Sequence, residues 1–227
     1  MFFFESPLGI LLMVISFVVA LAAQAGVKGA YAKYSKVQAK SGMTGADVAR
    51  LIVEGTGVEV ILSPGGHLSD HFDPRNNTIA LSHEVFNGSS VAALGIAAHE
   101  AGHALQYDQG YSPIRMRNGI LPAAQIGSQL AMPLVIGGLF FGSLGFLIDI
   151  GIILFMAVLL FQLITLPVEF NASRRAVEVL EGKSFLTPEE TDGAKAVLRA
   201  AAMTYVAAVV VSLLQLVRLL MLARRRS

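Results

Sequence analysis

The chain has 227 residues, of which 54% are hydrophobic and only 15% charged, and its mean hydropathy is +0.63, a composition that excludes an ordinary soluble globule and points to an integral membrane protein. A formal net charge of +1, with no interleaved basic and aromatic patch, argues against a nucleic-acid partner. Cysteine is absent, which excludes a disulfide scaffold and thiolate metal ligands and fits a reducing compartment.

Residues Leu8 to Ala25 form an apolar run, lengthened at its start by Phe2, Phe3 and Phe4, and it is long enough to cross a hydrocarbon core as a helix. Ala23-Gln24-Ala25 resembles a signal-peptide cleavage site, but no Lys or Arg precedes the run, so it reads as a retained span. Lys28, Lys33, Lys36 and Lys40 follow as a basic flank of the kind found on the cytoplasmic side. Thr44 to Gly55 reads as a short amphipathic helix. Thr44 and Asp47 make its capping box, Val48, Leu51 and Ile52 its apolar face, and Gly55 its stop. Val58 to Leu62 reads as a strand closed by Ser63-Pro64-Gly65-Gly66, and Thr78 to Leu81 as a second. Between them His67 to Asn77 is polar loop with a turn at Asp73-Pro74. His67, Asp70, His71 and Asp73 carry metal-ligating groups, but in a loop their spacing loses its meaning and a structured turn is the simpler reading. His83 and Glu84 read as surface or cap residues.

Val91 to Gln106 is filled with small apolar residues except at His99, Glu100 and His103, and reads as a helix capped by Ser89 or Ser90. Positions four apart share a helix face, so both imidazoles can reach one tetrahedral zinc. Glu100 is rotated away from that face and stands beside the metal. Zinc lowers the pKa of a bound water, and such a carboxylate can take its proton as it attacks a carbonyl. The competing reading makes both histidines satisfied polar groups in a membrane-protein core.

The stretch from Ile120 to Leu166 is too long for one span. Gly137, Gly138, Gly142, Ser143 and Gly145 mark a turn near its middle, between two helices of about 21 residues that would each rise about 31 Å, and the glycines could serve close helix packing as easily as the turn. Asp149 is its one charge, expected at the far interface or against a partner helix. Pro167 is expected to end the second leg, Thr187-Pro188-Glu189-Glu190 starts another helix, and a last span runs from about Ala200 to Leu222. Four spans put residues 26–119 and 167–199 on one side. Of 17 Lys and Arg, 13 lie there, which assigns that side to the cytoplasm. Arg224, Arg225 and Arg226 conflict with this unless they are exported or the last helix lies partly in the interface.

Two histidines leave a catalytic zinc one protein ligand short. Glu169 is the candidate, because it follows the hairpin that returns the chain to the side of the zinc helix. The alternative for Glu169 is an interfacial ion pair with Arg174 or Arg175. The segments HEAGHALQ, LPVEFNASRRA, DHFDPRNNTIALSHEVF and AAMTYVAA together resemble the YugP-type neutral zinc metallopeptidases, a group of membrane proteases, over nearly the whole chain. More distantly they resemble the gluzincins HtpX and the CAAX prenyl protease. The resemblance implies His99, His103 and Glu169 as ligands of one zinc ion and Glu100 as the catalytic base. One departure stands out. The wider clan has an aspartate four residues after the ligand glutamate, orienting a ligand histidine, and here the residue is Ser173.

The expected fold is a mainly α membrane protein with about four transmembrane helices and a small α+β gluzincin-like lobe. The expected segments are a first transmembrane helix at 1–25, a metalloprotease lobe at 26–119, a transmembrane hairpin at 120–166, a third-ligand and connecting helix at 167–199, and a last span with basic tail at 200–227. The expected function is a multi-pass, zinc-dependent endopeptidase of the cell membrane. Its active site faces the cytoplasm, its surroundings are the lipid bilayer and its substrates are peptides or membrane proteins. A zinc-stabilised membrane scaffold or chaperone without turnover is the alternative. A metal deep in the bilayer is disfavoured, because the zinc helix is flanked by Tyr107-Asp108-Gln109-Gly110 and cannot itself span. No repeated broken-helix pattern suggests a transporter. Arg174, Arg175, Tyr205, His67 and His71 are available to stabilise an oxyanion, and the sequence does not choose among them.

Overall fold

A computed structural model describes residues 6–67, 69–141 and 144–224. Phe2 to Phe4, Gly142, Ser143, Arg225 and Arg226, all used in the sequence reading, lie outside the described residues. The elements in chain order are α1 (Pro7–Tyr34), α2 (Gly45–Ile52), β1 (Glu59–Leu62), β2 (His71–Asp73), β3 (Thr78–Leu81), α3 (His83–Phe86), α4 (Val91–Asp108), α5 (Ser112–Phe140), α6 (Phe146–Gly182) and α7 (Pro188–Arg224). The helices α1, α5, α6 and α7 are each long and apolar enough to cross a membrane. The chain divides into two compact units. One comprises Met1–Gln24, Arg115–Leu166 and Thr204–Ser227, the other Ala25–Ile114 and Pro167–Met203.

The first unit holds the apolar stretches of the four long helices. Pro122 and Pro133 lie inside α5 without ending it. Glycines let α5 and α6 approach closely: a Cβ on Gly151 would meet the Ala131 carbonyl oxygen at 2.7 Å, and one on Gly138 would meet Ile148 at 2.8 Å. Gly137 and Gly138 lie within α5, and of the two roles open to them from sequence, turn or helix packing, Gly138 serves the packing. Val135, Ile148, Ile152 and Leu219 form the buried centre. Leu11, Phe17, Val18, Phe140 and Ile153 remain exposed, as lipid-facing side chains do. Asp149 sits exposed in the first turn of α6, where the helix dipole favours a negative charge.

The second unit is built on a three-stranded sheet of order β1-β3-β2, with β1 parallel and β2 antiparallel to β3. In register, Val60 pairs with Ile79 and Phe72 pairs with Ile79 from the other side. β2 falls where a loop was expected. Phe72 is the one apolar residue of its three, so no alternation announces the strand; pairing with β3 makes it. The turn after it matches expectation: the Asp73 carboxylate accepts from the Arg75 N–H at 2.9 Å, and Asn77 adopts a left-handed backbone with φ 52°. α2 has the expected capping box, with the Thr44 hydroxyl accepting from Asp47 N–H and the Asp47 carboxylate accepting from Thr44 N–H. Its buried face is Ala46, Val48, Ala49 and Ile52, while Leu51, placed on that face by sequence, is 40% exposed.

α4 lies against α2, α3 and the sheet. It is buried nearly all round, which is why its residues are alanine, glycine and a few larger apolar groups and not a one-sided stripe. Burying Leu94, Leu81 and Ile79 contributes about 1.5–3 kcal/mol each. Pro167 does not end α6, contrary to the sequence reading. One missing N–H removes a single bond from a 37-residue helix, and beyond it Val168, Glu169, Ala172, Ala176 and Leu180 form a buried stripe at helical spacing that keeps the helix packed. α7 starts as expected with a capping box between Thr187 and Glu190, and continues unbroken through the span expected from Ala200. The segment edges expected near 25, 119, 166 and 199 accordingly fall inside continuous helices.

Candidate metal centre

Ser90 caps α4 by accepting the Ala93 N–H, which sets the start of the helix that carries His99 and His103. Both rings point toward α6. There Glu169 and Ser173, one turn apart, face them. The approach of the two helices depends on Gly102, between the histidines: a Cβ at this position would meet the Ala172 carbonyl oxygen at 2.7 Å. No side chain fits there, so glycine is what lets Glu169 come within reach.

The Glu169 Oε2 atom lies 3.3 Å from His99 Nε2 and 3.5 Å from His103 Nε2. The two rings meet edge to face at 4.7 Å between centroids. These separations are longer than a good N–H···O bond. They do match the edge of a tetrahedron around a zinc ion, which bonds of about 2.0–2.1 Å make about 3.3 Å long. Two edges of the donor triangle thus have the length a zinc ion requires, and all three donor atoms lie within 4.8 Å of one another. The donor set, two imidazoles and a carboxylate, is one that a zinc ion accepts with a fourth position left for water or substrate. His99, His103 and Glu169 are the only such convergent group among the described residues.

The electrostatics agree with a cation at the centre. The Glu169 side chain is 3% exposed and sits beside the buried Val168 and Ala172, where an uncompensated carboxylate would cost several kcal/mol. Burial alone would push His103 toward its neutral form, but the carboxylates of Glu169 and Glu100 outweigh it and hold the imidazole above its ordinary pKa. Positive charge is favoured at this point whether protons or a metal ion supply it.

A second layer of contacts holds the rings. Ser173 Oγ lies 3.2 Å from His99 Nδ1, close enough for a hydrogen bond that orients the ring. His103 Nδ1 lies 3.0 Å from Gln106 Oε1, and the Gln106 amide nitrogen donates to the Val168 carbonyl at 2.8 Å and to Asn171 Oδ1 at 2.9 Å. Neither Gln106 nor Gly102 was singled out by sequence. A glycine in the middle of an alanine-rich helix and a glutamine three residues after a candidate ligand histidine are the only local signals of them.

The remaining polar candidates have other partners. Arg174 pairs with Glu178 at 3.8 Å, and Arg175 donates to Asn171 and Gln109. The ion pair of Glu169 with either arginine is thereby replaced by its contacts with the two imidazoles. His67 meets Glu84 at 3.0 Å, His71 Nδ1 meets the Ser69 carbonyl, Asp70 accepts from the Ser82 N–H and hydroxyl, and Asp73 pairs with Arg75. These loop residues do not converge on one point. Tyr31, His67, Asp70, Ser82, Glu84, Val85 and Ile96 line a cavity of about 160 Å³, and burial pushes the Asp70 carboxyl above its ordinary pKa.

A family model described as "Putative neutral zinc metallopeptidase" matches residues 9–224. The "Putative membrane protease YugP" of Bacillus subtilis (strain 168) is 47% identical over 202 residues, which cover 88% of this chain and 89% of that protein. No solved structure matches the chain.

Proposed function

The chain belongs to this neutral zinc metallopeptidase family, and on that premise we propose that it is a membrane-embedded zinc endopeptidase whose metal is held by His99, His103 and Glu169. The observation that carries the reading is the spacing of the three donor atoms, 3.3 and 3.5 Å from the shared Glu169 oxygen, on helices far apart in sequence. Zinc, when bound, supplies a Lewis acid that polarises a carbonyl and brings the pKa of a water toward neutrality. Glu100 follows His99 directly and is rotated by about 100° around α4, so its carboxylate stands beside the donor atoms and not among them. From there it takes the proton of the attacking water and delivers it to the leaving amine.

β2 offers a place for the substrate. It is an edge strand that lies against α4, and its Phe72 ring packs 5.9 Å from Tyr107, one turn beyond His103. An extended peptide pairing with its free edge runs alongside the metal helix, with main-chain bonds supplying affinity. The bias of basic residues supports a cytoplasm-facing lobe, with membrane proteins and membrane-proximal segments as the substrates. The test compares wild type with Glu100→Gln in detergent micelles. The variant is expected to keep its zinc and lose cleavage of casein or of a membrane-protein substrate. If Glu100→Gln cleaves as wild type does, the proposed base is wrong. If neither protein cleaves and the variant keeps its role in cells, the scaffold reading replaces the enzymatic one.

A further inference from the structure

We infer that Gln106 fixes which nitrogen of His103 carries the proton, leaving Nε2 as the lone pair that faces Glu169 and the metal position. Gln106 is fully buried, at 0% exposure, and its amide nitrogen points at two oxygens, the Val168 backbone carbonyl and Asn171 Oδ1. A backbone carbonyl can only accept. The orientation of Asn171 is fixed in turn by Arg175, whose Nε reaches the same Oδ1 at 2.7 Å and whose NH1 reaches Gln109 Oε1 at 2.6 Å. A guanidinium can only donate. Asn171 must therefore present its oxygen, and Gln106 must present its NH₂ group to both neighbours.

That leaves one choice at the far end of the amide. Oε1 of Gln106 faces His103 Nδ1 at 3.0 Å, and because this oxygen only accepts, the ring nitrogen must carry hydrogen. In a neutral imidazole the other nitrogen is then bare. Turning the Gln106 amide over would set its oxygen against two acceptors in a buried site and leave all three groups unsatisfied. The orientation is thus over-determined, by the main chain of α6 and by Arg175 independently. His99 differs. Its Nδ1 meets the Ser173 hydroxyl, which can donate or accept by rotating, so nothing in that contact selects a tautomer. One histidine is set by the fold and the other is free to adjust. The same bonds tie α4 to α6 at the depth of the site, so Gln106 is a positioning residue that acts through His103.

The inference uses the metal-centre reading for its purpose but not for its geometry, and the experiment separates the two. The full chain is purified in micelles with ¹⁵N-labelled histidine. Its five histidines are assigned by substitution, and the His103 tautomer is read from ring ¹⁵N shifts and long-range couplings in metal-free protein, on the alkaline side of the ring's own titration as those shifts report it. Wild type is expected to show hydrogen on Nδ1, and Gln106→Met, which keeps the volume and removes the amide, is expected to lose that preference. Zinc affinity by chelator competition should fall about 10–100-fold in Gln106→Met. Asn171→Leu leaves the Val168 bond in place. It should lower the melting temperature but keep the wild-type His103 pattern, which separates tautomer control from mere packing. Wild-type protein with hydrogen on Nε2 would overturn the inference, as would Gln106→Met with unchanged tautomer and unchanged affinity. A wild type that shows Nδ1–H yet binds no zinc leaves this inference standing and removes the metal-centre reading instead.

Discussion

Gly102→Ala tests the packing that brings the ligands together. The new methyl would lie 2.7 Å from the Ala172 carbonyl oxygen, and restoring an ordinary contact of 3.4 Å requires α4 and α6 to separate there by about 0.7 Å. Overpacking of this kind costs about 1–3 kcal/mol. The larger consequence is local. Glu169 lies one turn before the residue that is struck, His99 and His103 flank the mutated position, and the carboxylate already stands at the distances a tetrahedral zinc requires. A displacement of that size turns a zinc–oxygen bond of about 2.1 Å into a contact too long to count as ligation. We expect zinc affinity, measured by chelator competition on purified protein, to fall at least about tenfold. Gly95→Ala serves as the control on the same helix. Its methyl would meet the Ala194 methyl at 3.4 Å, an ordinary contact, so there the better helix propensity of alanine should raise stability by up to about 1 kcal/mol. Wild-type zinc affinity and melting temperature in Gly102→Ala would refute the reasoning.

Three further outcomes follow from the same structure. Ser173→Asp places a carboxylate beside His99 Nδ1 and should tighten zinc binding, whereas Ser173→Ala should weaken it; chelator competition ranks the three proteins, and an alanine variant equal to wild type would show that the 3.2 Å contact does not orient the ring. Asp70 has a folded-state pKa above its ordinary value because it is buried, so its ionisation opposes folding. Stability should decline as pH rises from about 3.9 toward that raised pKa. Asp70→Asn keeps an oxygen for Ser82 and should flatten this part of the pH–stability curve; an unchanged slope in thermal unfolding counts against the assignment. Thr44→Ala removes half of the α2 capping box and should cost about 1 kcal/mol by denaturant unfolding, with no change in zinc content.

The sequence carried what depends on local chemistry. Ser90 and Thr44 announce helix starts, the spacing of His99 and His103 places two imidazoles on one face, and the long apolar runs mark helices able to cross a membrane. Glu169 was reachable because it follows the hairpin. What escaped depends on contacts between distant segments. β2 exists because β3 gives it a partner, and a single Phe72 cannot advertise that. α6 passes through Pro167 because its next four turns have a buried face to pack, which no local propensity records. Leu51 and Val48 are equally apolar on paper, and only the neighbours of α2 decide which is buried. Gly102 and Gln106 acquire their roles from Ala172, Val168 and Asn171, some 60 to 70 residues further along the chain.

The proposed metal centre requires one convergence, of two imidazoles from α4 and a carboxylate from α6 on a single zinc ion. Zinc-edge X-ray absorption on the purified protein, paired with metal analysis of Glu169→Ala, addresses it most directly. The expected spectrum has two imidazole nitrogens and oxygen donors at about 2.0–2.2 Å, and the alanine variant should lose most of its metal. Stoichiometric zinc retained in Glu169→Ala, with an unchanged ligand shell, would contradict the account.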